Sequence, residues 1–280
     1  MIYIVIPVFN RKQFTKDCLD SLRKQTDKRF KVVVVDDGST DGTSDMLKEE
    51  YPEVHILYGD GNLFWTAATN MGIRYALENN ADYVLTLNND VIATEDYIEK
   101  MYYWAEKEPN ALLGSMALDT KTNKPTYGGE IIHWMSHTYT FLLDVLPENE
   151  KTSGIHEVSH FPGRGLLIPK AVFDKIGLYA EKALPHYMAD HDFTHKAKRH
   201  GFKIFCNYDA KIYTYPEASG DQQNRKKKSL KKYYDHLFGI RGGGNLKNFT
   251  IYTFRNCPVY YMPSFLVIGY SKRILGYILH

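Results

Sequence analysis

The chain has 280 residues, 44% of them apolar, and 35 basic against 33 acidic side chains, a formal charge of +2. This length suits one large α/β domain, or a domain with an appendage, and the apolar fraction supplies a sizeable core. The near-balance of charge excludes a global electrostatic case for a nucleic-acid partner.

The elements follow in chain order. Ile2–Pro7 reads as a first strand; the opening lacks a basic leader and a small-residue cleavage site, so a strand is expected there and not a signal peptide. Asn10 is placed to cap a helix whose apolar positions Phe14, Cys18, Leu19 and Leu22 fall at helical spacing. Lys31–Val35 is a second strand, with four consecutive valines that predict burial on both faces, as in a parallel sheet. A helix over 43–50 ends at Pro52, a third strand covers Val54–Tyr58, and a helix near 66–78 follows the loop Gly59-Asp60-Gly61-Asn62. A fourth strand, Tyr83–Leu87, leads to a helix capped by Thr94 with Glu95 and Asp96 in its first turn. This βα alternation argues for a mostly parallel sheet with helices on both faces. Residues 114–145 read as β-rich hairpins. An ordered segment at Phe161–Ile168, a helix from Pro169 to Ile176 and a helix from Asp192 to His200 complete the core, the helices ended by Gly177 and Gly201.

Chemistry gathers at the strand ends. The second strand runs into Asp36-Asp37-Gly-Ser-Thr-Asp-Gly and the fourth into Asn88-Asn89-Asp90. Ligands of open α/β sheets bind outside the carboxyl ends of the strands. Two strands that deliver acids and amides to one edge point to a metal-assisted site for a polar, hydroxylated ligand. One of Asp36 and Asp37 is expected to cap the turn, the other to act on the ligand. The three cysteines form no CxxC pair, which predicts reduced, structural thiols and a cytosolic setting. No uninterrupted apolar run reaches the length of a membrane span.

Five segments come in order: VIPVFNR, VVVVDDGSTDG, GNLFWTAATNMGIRYAL, LTLNND and YMADHDFTHKAKRHG. Together they resemble the family 2 inverting glycosyltransferases with the GT-A fold, over about residues 1–215, with 216–280 as a basic loop and helical C-terminal extension. The resemblance implies a nucleoside diphosphate sugar donor. Pro7, Val8 and Phe9 would line its base pocket, and Asp36 or Asp37 would accept hydrogen bonds from base or ribose. Asn88-Asn89-Asp90 stands where the family has its metal-binding DxD, with Asn88 in place of the first acid. Asp90 would then be the direct ligand of Mg²⁺ or Mn²⁺, and Asn88 would face ribose or sugar. Asn62 and Asn70 fall in the donor-contacting segment, Arg74 reads as a solvated or salt-bridged helix residue, and Trp65 suits either the floor under the donor sugar or the core. Arg164, in Phe161-Pro162-Gly163-Arg164-Gly165, falls in an acceptor-side wall and could meet a phosphate, although a plain tight turn fits equally. Asp190 matches the family's catalytic base, with Ala189 where a Glu often sits; His191 competes for the role, and helix capping by Asp190 or Asp192 is the alternative. The loop with NND looks closest to members acting on surface glycans, which leaves dTDP-rhamnose or a UDP-hexose as donor and a polysaccharide or lipid-linked glycan as acceptor.

Arg225–Lys232 carries six positive charges in eight residues. Val267, Ile268, Ile274, Leu275, Ile278 and Leu279 would share one helical face, with Lys272 and Arg273 off it. That pattern suits peripheral contact of 225–280 with an anionic membrane at its inner face; packing on the parent domain or a dimer interface competes. The basic run could also fold over the donor diphosphate. Two other classes remain. A nucleotidyltransferase would show a basic, Gly-rich phosphate loop near the first strand, which VIPVFNR lacks. A non-catalytic nucleotide-sugar or glycan-binding protein is compatible with the acid missing at Asn88.

Overall fold

The computed structural model describes residues 1–215 and 229–279. Four parallel strands form its first half: β1 (Ile2–Val8), β2 (Phe30–Asp36), β3 (His55–Tyr58) and β4 (Tyr83–Thr86), adjacent in the order β3-β2-β1-β4. Val33, Val34 and Val35 are completely buried, which fits a strand covered on both faces. Each such side chain contributes roughly 1.5–3 kcal/mol on burial. The intervening helices are α1 (Lys12–Arg23), α2 (Thr43–Glu50) and α3 (Phe64–Glu78). On α3, Gly72 lies where a Cβ would come within 2.4 Å of Val5, so glycine sets how closely this helix approaches the sheet. The register pairs Val8 with Asp36 and Val5 with Thr86, which brings the ends of β1, β2 and β4 to one edge.

A short β5 (Val91–Ala93) and α4 (Tyr97–Lys107) lead into a mixed half. Here stand β6 (Leu112–Asp119), β7 (Pro125–Tyr127), the separate hairpin β8 (Glu130–His133) and β9 (Thr138–Phe141), α5 (Leu142–Val145), β10 (Ile155–Glu157), β11 (Leu166–Pro169), α6 (Lys170–Ile176), α7 (Ala189–Arg199) and β12 (Ile204–Thr214). β11 runs antiparallel between β4 and β6, and β12 lies parallel to β6. The result is an α/β fold with a largely parallel central sheet.

Two expected caps are corrected. Asn10 does not cap α1: it and Arg11 both adopt left-handed backbone, and the Asn10 side chain accepts from the Thr40 N–H across the cleft edge. Nor does Thr94 cap α4 through its side chain; Gln25 Oε1 reaches from the end of α1 and accepts from Ile98 N, while its amide donates to the Thr94 carbonyl.

The extension forms α8 (Leu230–Phe238), α9 (Leu246–Asn256) and α10 (Met262–Leu279) and folds back on the domain. Phe249, Tyr252 and Phe265 build a small core with Ile132 and Trp134 of the β8–β9 hairpin. A Cβ at Gly269 would meet Phe249 at 2.1 Å, so glycine is needed where α10 crosses α9. The docked face of α10 differs from the apolar face read in the sequence as a membrane surface. It carries Phe265, Gly269 and Arg273, whose guanidinium stands 3.7 Å from the Phe249 ring centre. Val267, Ile274 and Leu275 remain exposed and Ile268 is half-buried. Of the basic run, Arg225–Lys228 lie outside the described residues, as do the side chains of Ile278 and Leu279; Ser229 caps α8 by accepting from Lys232 N. Among the described residues no helix is long and apolar enough to cross a membrane.

Candidate active site

A cleft of about 590 Å³ opens at the carboxyl ends of β1, β2 and β4, within the size range of small-ligand sites. Pro7, Val8, Phe9, Asp37, Asn88, Asp90, Arg164 and Asp190 all line it. Residues remote in sequence are thus brought to one cavity. The backbone around it is held in unusual conformations: Asn10, Arg11, Phe64 and Met188 have left-handed φ between 59° and 71°, or 54° for Phe64. Such strain in non-glycine residues clusters at functional sites.

The two adjacent acids divide differently from expectation. Asp36 is fully buried and does not line the cleft; it accepts from Ser39 N at 3.0 Å and from the Ser44 hydroxyl, holding the turn. Asp37 does line the cleft, yet it also organises it. Its oxygens accept from Gly61 N (2.8 Å), Leu63 N (3.0 Å) and Phe64 N (3.2 Å), so it caps α3 from another strand. A carboxylate has about four lone-pair sites, which leaves Asp37 able to accept one more donor from the cleft.

Asn62 and Asn70 are not brought to the cleft wall. Asn62 is an exposed turn residue whose N–H donates to Asp60. Asn70 is fully buried; its amide donates to the Tyr179 carbonyl and Glu181 and accepts from Tyr179 N, tying α3 to the 179–181 loop. Arg74 pairs with Glu181 at 3.2 Å. Trp65 lines the cleft and donates its indole N–H to Asn88 Oδ1 at 3.1 Å. Asp90 Oδ2 lies 2.9 Å from Arg11 Nη1. One carboxylate beside a neutral amide is a sparse donor set. It suits a Mg²⁺- or Mn²⁺-type ion that takes most of its shell from phosphate and water.

Asp190 sits in the first turn of α7. Its Oδ2 accepts from Gly163 N at 3.0 Å and its Oδ1 from His191 N at 2.9 Å, which fixes the carboxylate at the cleft wall. A Cβ at Gly163 would meet Trp65 at 2.4 Å, so glycine lets this backbone N–H reach Asp190. Asp192, 2% exposed, points elsewhere: Arg255 grips it at 2.8 and 2.9 Å and Asn256 donates to it at 2.7 Å. His191 does not line the cleft; its ring packs 4.3 Å from that of His160. Arg164 reaches the cleft with its guanidinium 5.7 Å from the Tyr127 ring centre.

Three basic residues of the cleft escaped the sequence reading. Arg241, from the α8–α9 loop, stands over Phe9 at 5.1 Å and Phe64 at 5.6 Å, so the extension completes the cavity. A single arginine before Gly242-Gly243-Gly244 was the available signal. Arg11 lay inside VFNR. His186 lines the same wall, and burial followed by the charge of Arg241 holds its imidazole down to about 4.

The family model for glycosyl transferase family 2 matches residues 3–175, and the chain belongs to that family. An uncharacterized glycosyltransferase of Rickettsia prowazekii is 28% identical over 247 residues, covering 86% of this chain and 71% of that protein. In the first curated relatives it matches, the chain spans only 14 to 59% of their length. Among solved structures, Staphylococcus aureus TarS 1–349 in complex with UDP-GlcNAc superposes with a TM-score of 0.62 at 14% identity, covering 99% of this chain and 91% of that one. GalNAc-T7 with UDP, GalNAc and Mn²⁺ gives 0.65 at 14% identity, with 91% and 50% covered. At these identities the likeness is one of fold.

Proposed function

We propose that this protein is an inverting glycosyltransferase that moves a sugar from a nucleoside diphosphate donor to a hydroxyl of a glycan. One observation carries the reading: Asp37, Asp90 and Asp190, from three separate elements, line one cleft at the carboxyl edge of the sheet. The base and ribose would lie between Phe9 and Asp37, with Arg241 stacked at the mouth and Arg11 and Asp90 beside the diphosphate. A divalent ion held by Asp90 would neutralise charge on the departing diphosphate. Asp190, fixed by two backbone N–H groups, would take the proton of the acceptor hydroxyl as its oxygen attacks the anomeric carbon from the face opposite the leaving group. Trp65 and Gly163 would position the sugar against that carboxylate.

A UDP-sugar is the first donor to test, because the TarS complex of the same fold holds UDP-GlcNAc; dTDP-rhamnose is the second. Transfer to a panel of surface-glycan acceptors, by wild type and Asp190→Asn, tests the assignment. Wild-type transfer that Asp190→Asn retains in full removes Asp190 from the role of base.

The acceptor reading extends to a lipid-linked glycan at a membrane surface. Its support is the outward strip of the extension, where Val259, Tyr260 and Val267 are 76, 94 and 67% exposed. Co-sedimentation with anionic vesicles should fall when Tyr260 and Val267 become Asp; equal failure of both proteins to bind excludes the membrane contact.

A further inference from the structure

We propose that Glu130, His160 and His191 form a second metal site, for a transition-metal ion such as Zn²⁺, behind the cleft and separate from Asp90. One ligand atom from each of the three lies within 4.8 Å of the other two. A tetrahedral zinc with bonds of about 2.0–2.1 Å spaces its ligands roughly 3.3 Å apart, so small side-chain rotations close the set.

Burial and charge make the cluster costly without an ion. Glu130 is buried, and among the described residues no Lys or Arg forms an ion pair with it; its one ionic partner is His160 Nε2 at 2.8 Å. A buried carboxyl group is ordinarily matched by a cation. His160 is fully buried, and with Nε2 donating to Glu130 its Nδ1 has no hydrogen-bond partner. Nearby His195, one helical turn beyond His191, has a buried Nε2 that is also unpartnered, and its ring stands 4.8 Å from that of His160. Two unpartnered imidazole nitrogens beside a buried carboxylate whose one ionic partner is an imidazole are what a bound divalent ion would engage.

The backbone beneath the cluster is tied together before any ion arrives. Glu130 and His160 form an antiparallel bridge, Ser159 N donates to the Glu130 carbonyl, and Phe161 N donates to Thr194 on α7. Two imidazoles and one carboxylate favour zinc and its neighbours over Mg²⁺ or Ca²⁺, which prefer all-oxygen shells. Three protein ligands leave a fourth position for water. The ion would join β8 to the first turn of α7 and so brace Asp190, which precedes His191. This inference does not rest on the glycosyl-transfer reading.

The test is metal content and affinity of the full-length protein, by elemental analysis and competition with a chromogenic chelator, with thermal unfolding alongside. The expected result is one zinc per chain, a higher melting temperature with zinc than with chelator, and no competition from excess Mg²⁺. His160→Ala and His191→Ala should lose affinity by about 100-fold or more, while Asp90→Ala keeps the zinc. His191 is only half-buried, so its variant tests the site even where His160→Ala misfolds. Protein that takes up no zinc, or zinc binding that survives His191→Ala unchanged, overturns the proposal.

Discussion

The two walls of the cleft are built on different principles. The wall proposed for the donor consists of strand ends and turns whose residues are local: Asp37 and Asn88–Asp90 come just after buried strands, with Asp36 holding the turn behind. Asp37 caps α3 while also facing the cavity. The opposite wall is assembled from afar. Asp190 is held by Gly163 with Trp65 packed beneath, and the extension, anchored through Arg255 to Asp192, sends Arg241 across the mouth to Phe9 on the first wall. The lesson is that substitutions on the first wall should disturb folding and donor binding together. On the second, chemistry and support are carried by different residues.

The sharpest separation should come from Asp190→Asn. Turnover should fall by about 10²–10⁴-fold, the usual range for removing a general base. The amide oxygen can still accept from Gly163 N, so donor affinity and melting temperature should hold. A parallel loss of donor affinity would erase the contrast between the walls.

Arg255→Ala acts through support alone. It strips the main cation from buried Asp192 and should cost roughly 1–3 kcal/mol in denaturant unfolding, less than for a fully buried pair because Arg255 is partly exposed. Early proteolysis after α7 should accompany it; unchanged stability would mean that the extension is not held by this pair.

Asp37→Ala should act on both properties. It leaves three backbone N–H groups without their acceptor, costing about 1–2 kcal/mol as a lost helix cap, and weakens donor binding. Loss of donor binding without loss of stability would contradict its double role.

A further effect is that of pH. An unfolded imidazole titrates near 6.5, whereas burial, with Arg273 and Lys272 nearby, brings His137 to about 4, and His186 is likewise at about 4. The folded chain resists protons that the unfolded chain accepts. Stability from these groups is therefore complete above about 6.5 and is lost as the pH falls towards 4. His137 packs 4.2 Å from Phe265, so the extension should loosen first. Melting temperatures flat across that window would remove His137 and His186 as its cause.

This contrast also marks what the sequence made legible. The parallel half was readable because valine runs, helical spacing and the turn residues after each strand are local signals. Within it the α4 cap was misassigned to Thr94 and the α3 cap was not read, since Gln25 and Asp37 reach these helices from afar and leave no local motif. β12 went unread because a register shift between Asn207 and Lys211 interrupts its alternation, with Asn207 Oδ1 accepting from Asp209 N and Ala210 N. At the site, Asp90 and Asp190 were found through motifs, but which of two adjacent aspartates faces the cavity depends on hydrogen bonds to Ser44 and Gly61 that only the fold creates. The docked side of α10 was not legible, because it uses an arginine over a phenylalanine ring, which periodicity of apolar residues does not detect.

Calorimetric binding of nucleoside diphosphate sugars to wild type, Asp37→Ala, Asp90→Ala and Asp190→Asn, with Mg²⁺ or Mn²⁺ present, tests the shared cleft most directly. The account predicts that wild type and Asp190→Asn bind one donor alike and that Asp37→Ala and Asp90→Ala bind it weakly. Equal binding by all four proteins, or none by wild type across UDP- and dTDP-sugars, would contradict it.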